Sequence, residues 1–232
     1  GAYDHLELEA YVKESAPFLG VKMPIIRSSL HQWHLAEISG KLSDEKQLDL
    51  AIALIRQRHA EEKLAGTLFL EEILIPRGII QCGRDGLRFG DLFASGKIYD
   101  WNVCDWFCMK VLGRLIEREG ETWAKHLSGW RESENLWQAR ASLVSFVRVA
   151  GNSSYYPLVE GSCRTLIRRK ERFAKTAVGW ILREISKHDD GFVQRVIEVN
   201  IRHFSSESLR NTTKYLGKGR QTAYLETLQG FG

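Results

Sequence analysis

The chain has 232 residues, with 33 Lys/Arg against 29 Asp/Glu and a formal net charge of +4. Hydrophobic residues make up 44%, yet no apolar run approaches the ~20 residues that a membrane-spanning helix requires. The opening Gly1-Ala2-Tyr3-Asp4 is polar and carries no secretory character, so a cytoplasmic location is expected.

In chain order the pattern is helical almost throughout, and no stretch alternates with the two-residue period of a strand. Pro24 suits a helix start, where its missing N–H costs nothing. Ser43 is placed to cap the next helix, with Asp44 and Glu45 near its positive end and Leu48, Ile52, Leu54 and Ile55 as its apolar stripe. Residues 61–75 predict a helix that stops before Pro76. Residues 76–97 are rich in glycine and read as a connection of loop and short helix. Further helices are expected near 99–117, 120–130, 134–149, 156–169, 172–187, 190–202 and 205–215, with Ser133 or Glu134 capping the third of these. The expectation is one repeat domain over 1–232. It comprises N-terminal helices to 75, the 76–97 connection, regular repeats over 98–217 and a tail from 218. Helix pairs joined by short turns make this an all-α solenoid of HEAT-like helix-pair repeats.

Three of these helices carry groups that do not suit an apolar stripe. Trp101 and Asp105 sit one helical turn apart, beside Cys108 and Leu112. Arg140 lies among Leu136, Trp137, Leu143 and Val144, and Trp180 follows Gly179. Asp105 and Arg140 are 35 residues apart and Arg140 and Trp180 are 40, the period of stacked helix pairs. A carboxylate, a guanidinium and two indoles at matched repeat positions are explained by one shared concave wall. An ion pair between neighbouring repeats explains the two charged groups equally well, and tryptophans at helical spacing usually fill cores. The cysteines are Cys82, Cys104, Cys108 and Cys163. Cys104 and Cys108 share a helix face but lack two further ligands nearby, so no metal site is expected.

Charge is unevenly spread. Residues 1–99 carry 12 Lys/Arg against 14 Asp/Glu, whereas 100–232 carry 21 against 15. Arg164, Arg168, Arg169, Arg172 and Lys175 fall within twelve residues of one another. Such a half suits a polyanion, although basic runs also occur as plain solvated helix faces.

Several ordered segments resemble the AlkD family of DNA alkylation-repair glycosylases, from about Tyr11 to Gly217. They are Tyr11-Val12-Lys13 with Phe18-Leu19-Gly20-Val21 and Pro24, then Trp101 to Asp105, then Asn135 to Ala141. The longest is Phe173-Ala174-Lys175-Thr176-Ala177-Val178-Gly179-Trp180-Ile181-Leu182-Arg183-Glu184. The resemblance implies excision of cationic N3- or N7-alkylpurines from duplex DNA by a monomer that needs no cofactor and presents a concave basic face. It places the catalytic carboxylate on Asp105, the wall-forming indoles on Trp101 and Trp180, and the active-site arginine on Arg140. Candidate DNA contacts are Arg140, Lys175, Arg164, Arg168, Arg169, Arg172, Tyr11 and Lys13. Here the first motif reads Trp-Asn-Val-Cys-Asp, where the family often has Trp-Asp-x-Val-Asp, and Asp100 stands where some members carry an aromatic. Other readings of the same pattern are a non-catalytic nucleic-acid-binding repeat array and a protein-interaction scaffold.

Overall fold

A computed structural model describes residues 15–231, which are helical with no strand among them. The fold is all-α, of the α-solenoid class. The chain packs as two compact units, Gly1–Leu115 and Ile116–Gly232. Among the described residues, no helix is long and apolar enough to cross a membrane.

The first unit contains α1 (Met23–Trp33), α2 (Asp44–Ile55), α3 (Ala60–Phe69), α4 (Cys82–Ala94) and α5 (Trp101–Phe107). Helices α1, α3 and α5 lie side by side in one layer, and α2 pairs with α3 as a hairpin. Local sequence sets the starts. Pro24 opens α1, the Ser43 hydroxyl accepts from the Lys46 N–H at the head of α2, and Glu62 reaches back to the His59 N–H at 2.9 Å. Glu61, nearly buried, accepts from the N–H groups of Leu19, Gly20 and Val21 at 2.9, 2.8 and 3.2 Å. That carboxylate fixes the incoming strand of chain onto α3. The hairpin packs closely at Gly66, where an added Cβ would lie 2.5 Å from the Ala51 carbonyl oxygen.

Each helix of the α1–α3–α5 layer runs into one π-helical turn: His34–Ile38, Leu70–Leu74 and Cys108–Leu112. Their starts are 36 and 38 residues apart, so the irregularity repeats with the architecture. Sequence periodicity averages over such a single inserted residue and does not reveal it.

Residues 76–97, expected as loop and short helix, hold one helix between non-helical segments. Residues 82–94 form α4, a regular thirteen-residue helix. Its glycines are tolerated because the helix is held by its buried face. Phe89 and Phe93 are fully buried and meet Phe107 edge-on at 5.5 and 6.1 Å. Buried Asp85 accepts from the Gln81 N–H at 2.8 Å and pairs with Arg84 at 2.8 Å.

The second unit follows the same scheme with α7 (Glu121–Gly129), α8 (Leu136–Val144), α9 (Tyr156–Leu166), α10 (Arg172–Ile185), α11 (Asp190–Asn200) and α12 (Ser206–Thr212). The α6 helix (Gly113–Glu119) precedes it and carries the division between the units. Helices α8, α10 and α12 form one layer, with α9 packed on α7 and α8 behind it. Asn135, not Ser133 or Glu134, caps α8: its side-chain oxygen accepts from the N–H groups of Trp137 and Gln138, both at 3.0 Å. Asp189 caps α11 and Ser205 caps α12. The expected tail is also helical, as α13 (Lys218–Gln229), which packs on α12 and has no buried residue. It lacks an apolar stripe, which is why periodicity gave no sign of it.

Helices α10 and α12 touch at Gly179. A Cβ there would stand 2.8 Å from the Ser208 carbonyl oxygen and 3.2 Å from its Cα, both backbone atoms. Gly179→Ala is therefore expected to lower stability by roughly 1–3 kcal/mol, despite alanine's better helix propensity. A chemical-denaturation midpoint unchanged from wild type would contradict that close approach.

Candidate active site and nucleic-acid interface

In the first unit, Asp100 sets the head of the helix that carries Trp101 and Asp105. It is 2% exposed, and its carboxylate accepts from the Val103 N–H at 2.8 Å and the Ala16 N–H at 3.1 Å. Burial pushes this carboxyl above its ordinary range, against those backbone bonds and the nearby Lys63 charge. Lys63 is itself 2% exposed and donates to the carbonyls of Ile55 (3.0 Å) and Lys97 (2.8 Å). Burial lowers its pKa, only partly offset by Asp100. The residue that replaces an aromatic in the resemblance is thus a helix cap inside a buried polar network.

Trp101 is the first residue of α5 and Asp105 lies one turn on, so the two share a face. Both are half-buried, as is Trp106, whereas Val103, Cys104, Phe107 and Cys108 are buried. The thiols of Cys104 and Cys108 are buried 4.0 Å apart, whereas the carboxylate and indoles stand at the boundary with solvent. Within the π-helical turn, the Lys110 ammonium lies 5.5 Å from the centre of the Trp106 ring. It also pairs with Glu71 at 3.3 Å, and Arg114 meets the same carboxylate oxygen at 3.2 Å. Glu71 is 4% exposed, and its other oxygen is buried without a hydrogen-bond partner. Sequence reading missed this acid, because a glutamate in the doublet Glu71-Glu72 looks like ordinary helix surface.

In the second unit, Arg140 and Trp180 come together. Arg140 is 5% exposed. Its Nη1 donates to the Phe173 carbonyl at 2.8 Å and the Thr176 hydroxyl at 3.2 Å. The guanidinium lies 5.9 Å from the Phe173 ring centre and 6.0 Å from that of Trp180. Trp137 continues this surface, with its ring centre 5.1 Å from Phe173. Phe173 was not singled out in the sequence, although it precedes Trp180 by seven residues, two helical turns on the same face. Arg140 is thus a tie between α8 and α10 as well as a charge beside an indole.

The remaining basic residues sort into different environments. Arg164 and Arg168 are exposed. Arg169 is committed internally, donating to the carbonyls of Ser133 (2.7 Å) and Glu134 (3.0 Å) and pairing with Glu171 at 2.6 Å. The Arg169 side chain is the main cause that holds the Glu171 carboxyl below its ordinary range. Arg172 pairs with Glu207 at 2.6 Å and lies over the Phe173 ring. Lys175 donates to the His203 carbonyl. Tyr11 and Lys13 lie outside the described residues.

A family model for DNA alkylation repair enzymes matches residues 4–216. The chain belongs to the DNA alkylation repair enzyme family. Its work therefore lies in alkylation repair, and DNA is its partner. The structure of this DNA alkylation repair enzyme is similar to that of a predicted DNA alkylation repair enzyme from Enterococcus faecalis. The TM-score is 0.75 at 18% identity, over 92% of this chain and 95% of that one. At such identity the likeness establishes the fold alone. No protein of curated function matches the sequence.

Proposed function

We propose that this repair enzyme is a monofunctional DNA glycosylase that hydrolyses the N-glycosidic bond of cationic N3- and N7-alkylpurines in duplex DNA. One observation carries this reading: a half-buried carboxylate, Asp105, stands one helical turn from an indole on a helix whose cap is buried and fixed. N-alkylation leaves the purine positively charged, so it departs with the bonding electron pair as a neutral base. No strong general acid is needed. What remains is to stabilise the cationic sugar and to deliver water to C1′.

Asp105, ionised, supplies negative charge beside the developing oxocarbenium ion and accepts the proton of the attacking water. This is the role carboxylates have in glycoside hydrolysis. Trp101 and Trp180 offer aromatic faces to the electron-poor deoxyribose, contacts of about 0.5–2 kcal/mol each. Arg140 holds the Trp180 and Phe173 rings and places a cation at that surface, where phosphate is attracted. Arg164, Arg168, Arg172 and Lys175 add charge for the DNA backbone. Arg169, bound to two carbonyls and Glu171, acts chiefly by fixing the turn before α10.

The direct experiment is release of 7-methylguanine or 3-methyladenine from methylated duplex DNA, with an undamaged duplex as control. Salt-sensitive DNA binding without base release would replace this reading by a non-catalytic one. Trp180→Ala is expected to cut excision about tenfold or more while the melting temperature stays within a few degrees of wild type, because the indole is only half-buried. A collapse in melting temperature would instead make it a core residue.

A further inference from the structure

The turn after α11 adds two groups, Arg202 and His203, to the Arg168 and Lys175 already assigned to the DNA backbone. Arg202 and His203 occupy the 3-10 turn Ile201–His203. Arg202 Nε donates to His203 Nε2 at 3.3 Å, and Lys175 on α10 donates to the His203 carbonyl. The imidazole is held below the ordinary histidine range first by burial, then by the charges of Arg202, Arg168 and Lys175. No carboxylate bears on it among the described residues. Glu207, in the first turn of α12, is engaged with Arg172, and α13 packs against the Ile201–His203 turn. Helix α10 also begins beside this group, with its partial positive charge.

We propose that Arg168, Lys175, Arg202 and His203 form a phosphodiester-binding site for the DNA backbone, and that His203 takes up a proton when the phosphate arrives. The inference rests on the assignment of DNA as substrate. In the free protein, Nε2 accepts from Arg202 and the ring is neutral. A phosphate between the two side chains accepts from both, so the ring nitrogen gains a proton and becomes a donor. An anion within about 4–6 Å favours the imidazolium by one or more pH units. By linkage, binding then tightens about tenfold as pH falls from about 8 to about 5.5.

The test uses an unmodified duplex, so its outcome is independent of base release. Titration calorimetry in two buffers of different ionisation enthalpy counts the protons taken up on binding. Wild type is expected to take up about half a proton or more near pH 6.5, and His203→Gln, which keeps the backbone carbonyl and an acceptor, none. Equal uptake by both proteins, or none by wild type, overturns the proposal. Arg168→Gln and Arg202→Gln, both at exposed positions, should each lower the slope of log affinity against log salt by about one. Unchanged slopes in both also overturn it. If inorganic phosphate alone produces the same uptake and abolishes it for DNA, the site serves a free anion and its assignment to the backbone is lost. Failure of base release with proton uptake intact would instead overturn the glycosylase reading and leave this site standing.

Discussion

Asp105→Asn is expected to reduce excision of 7-methylguanine at least ~10²-fold while affinity for the duplex holds or rises. The substitution keeps shape and removes only charge and basicity. In a reaction whose leaving group already carries the positive charge, the carboxylate acts on the sugar cation and the water, and an amide can do neither well. Its half-buried position enlarges the effect, because a charge partly withdrawn from water interacts more strongly with a nearby cation. Affinity should not suffer, since an anion facing phosphates opposes binding. The same change one cap away serves as a contrast. Asp100 is wholly enclosed and bonded to backbone N–H groups. Asp100→Asn should therefore appear first as a lowered melting temperature, with excision affected through the position of α5. Single-turnover base release, thermal melting and a binding isotherm on the same three proteins separate the two roles. Full activity in Asp105→Asn would remove the carboxylate from the mechanism.

What the sequence made legible depends on the length scale of the signal. Helix starts were readable because a cap is a local event: Ser43 and Pro24 each act within one turn. Within the second unit, the adjacency of α8 and α10 was readable because Arg140 and Trp180 recur at the repeat period. The full length of the helix at 82–94 was not legible because glycine lowers helix propensity by about 1 kcal/mol each, whereas the compensation comes from Phe89 and Phe93 against Phe107, a tertiary contact. The π-helical turns were hidden because each adds a single residue to an otherwise regular stripe. At the site, residue types were visible but their commitments were not. Arg169 and Arg168 are neighbours in a basic run, yet one is bound to two carbonyls and the other is exposed. Charge runs report composition, and only the fold says which cations are already satisfied.

Arg140→Ala should lower both stability and activity, and the comparison with Arg140→Lys tells which property of the arginine matters. Truncation leaves the Phe173 carbonyl and the Thr176 hydroxyl without the Nη1 donor and removes the stem packed between α8 and α10. Loss of a hydrogen bond from a charged group, in a site this enclosed, costs roughly 2–3 kcal/mol. Excision should fall about 10²-fold, because the Phe173 and Trp180 rings lose the planar group they pack on. Lysine restores the charge but not the plane or the fork. If the arginine acts through long-range attraction for phosphate, Arg140→Lys recovers both the salt dependence of binding and the excision rate. If it acts by holding the aromatic surface, the salt slope returns to wild type while excision stays low. The buried position and the two bonds to α10 favour the second result, and full rescue by lysine would reduce Arg140 to a point charge.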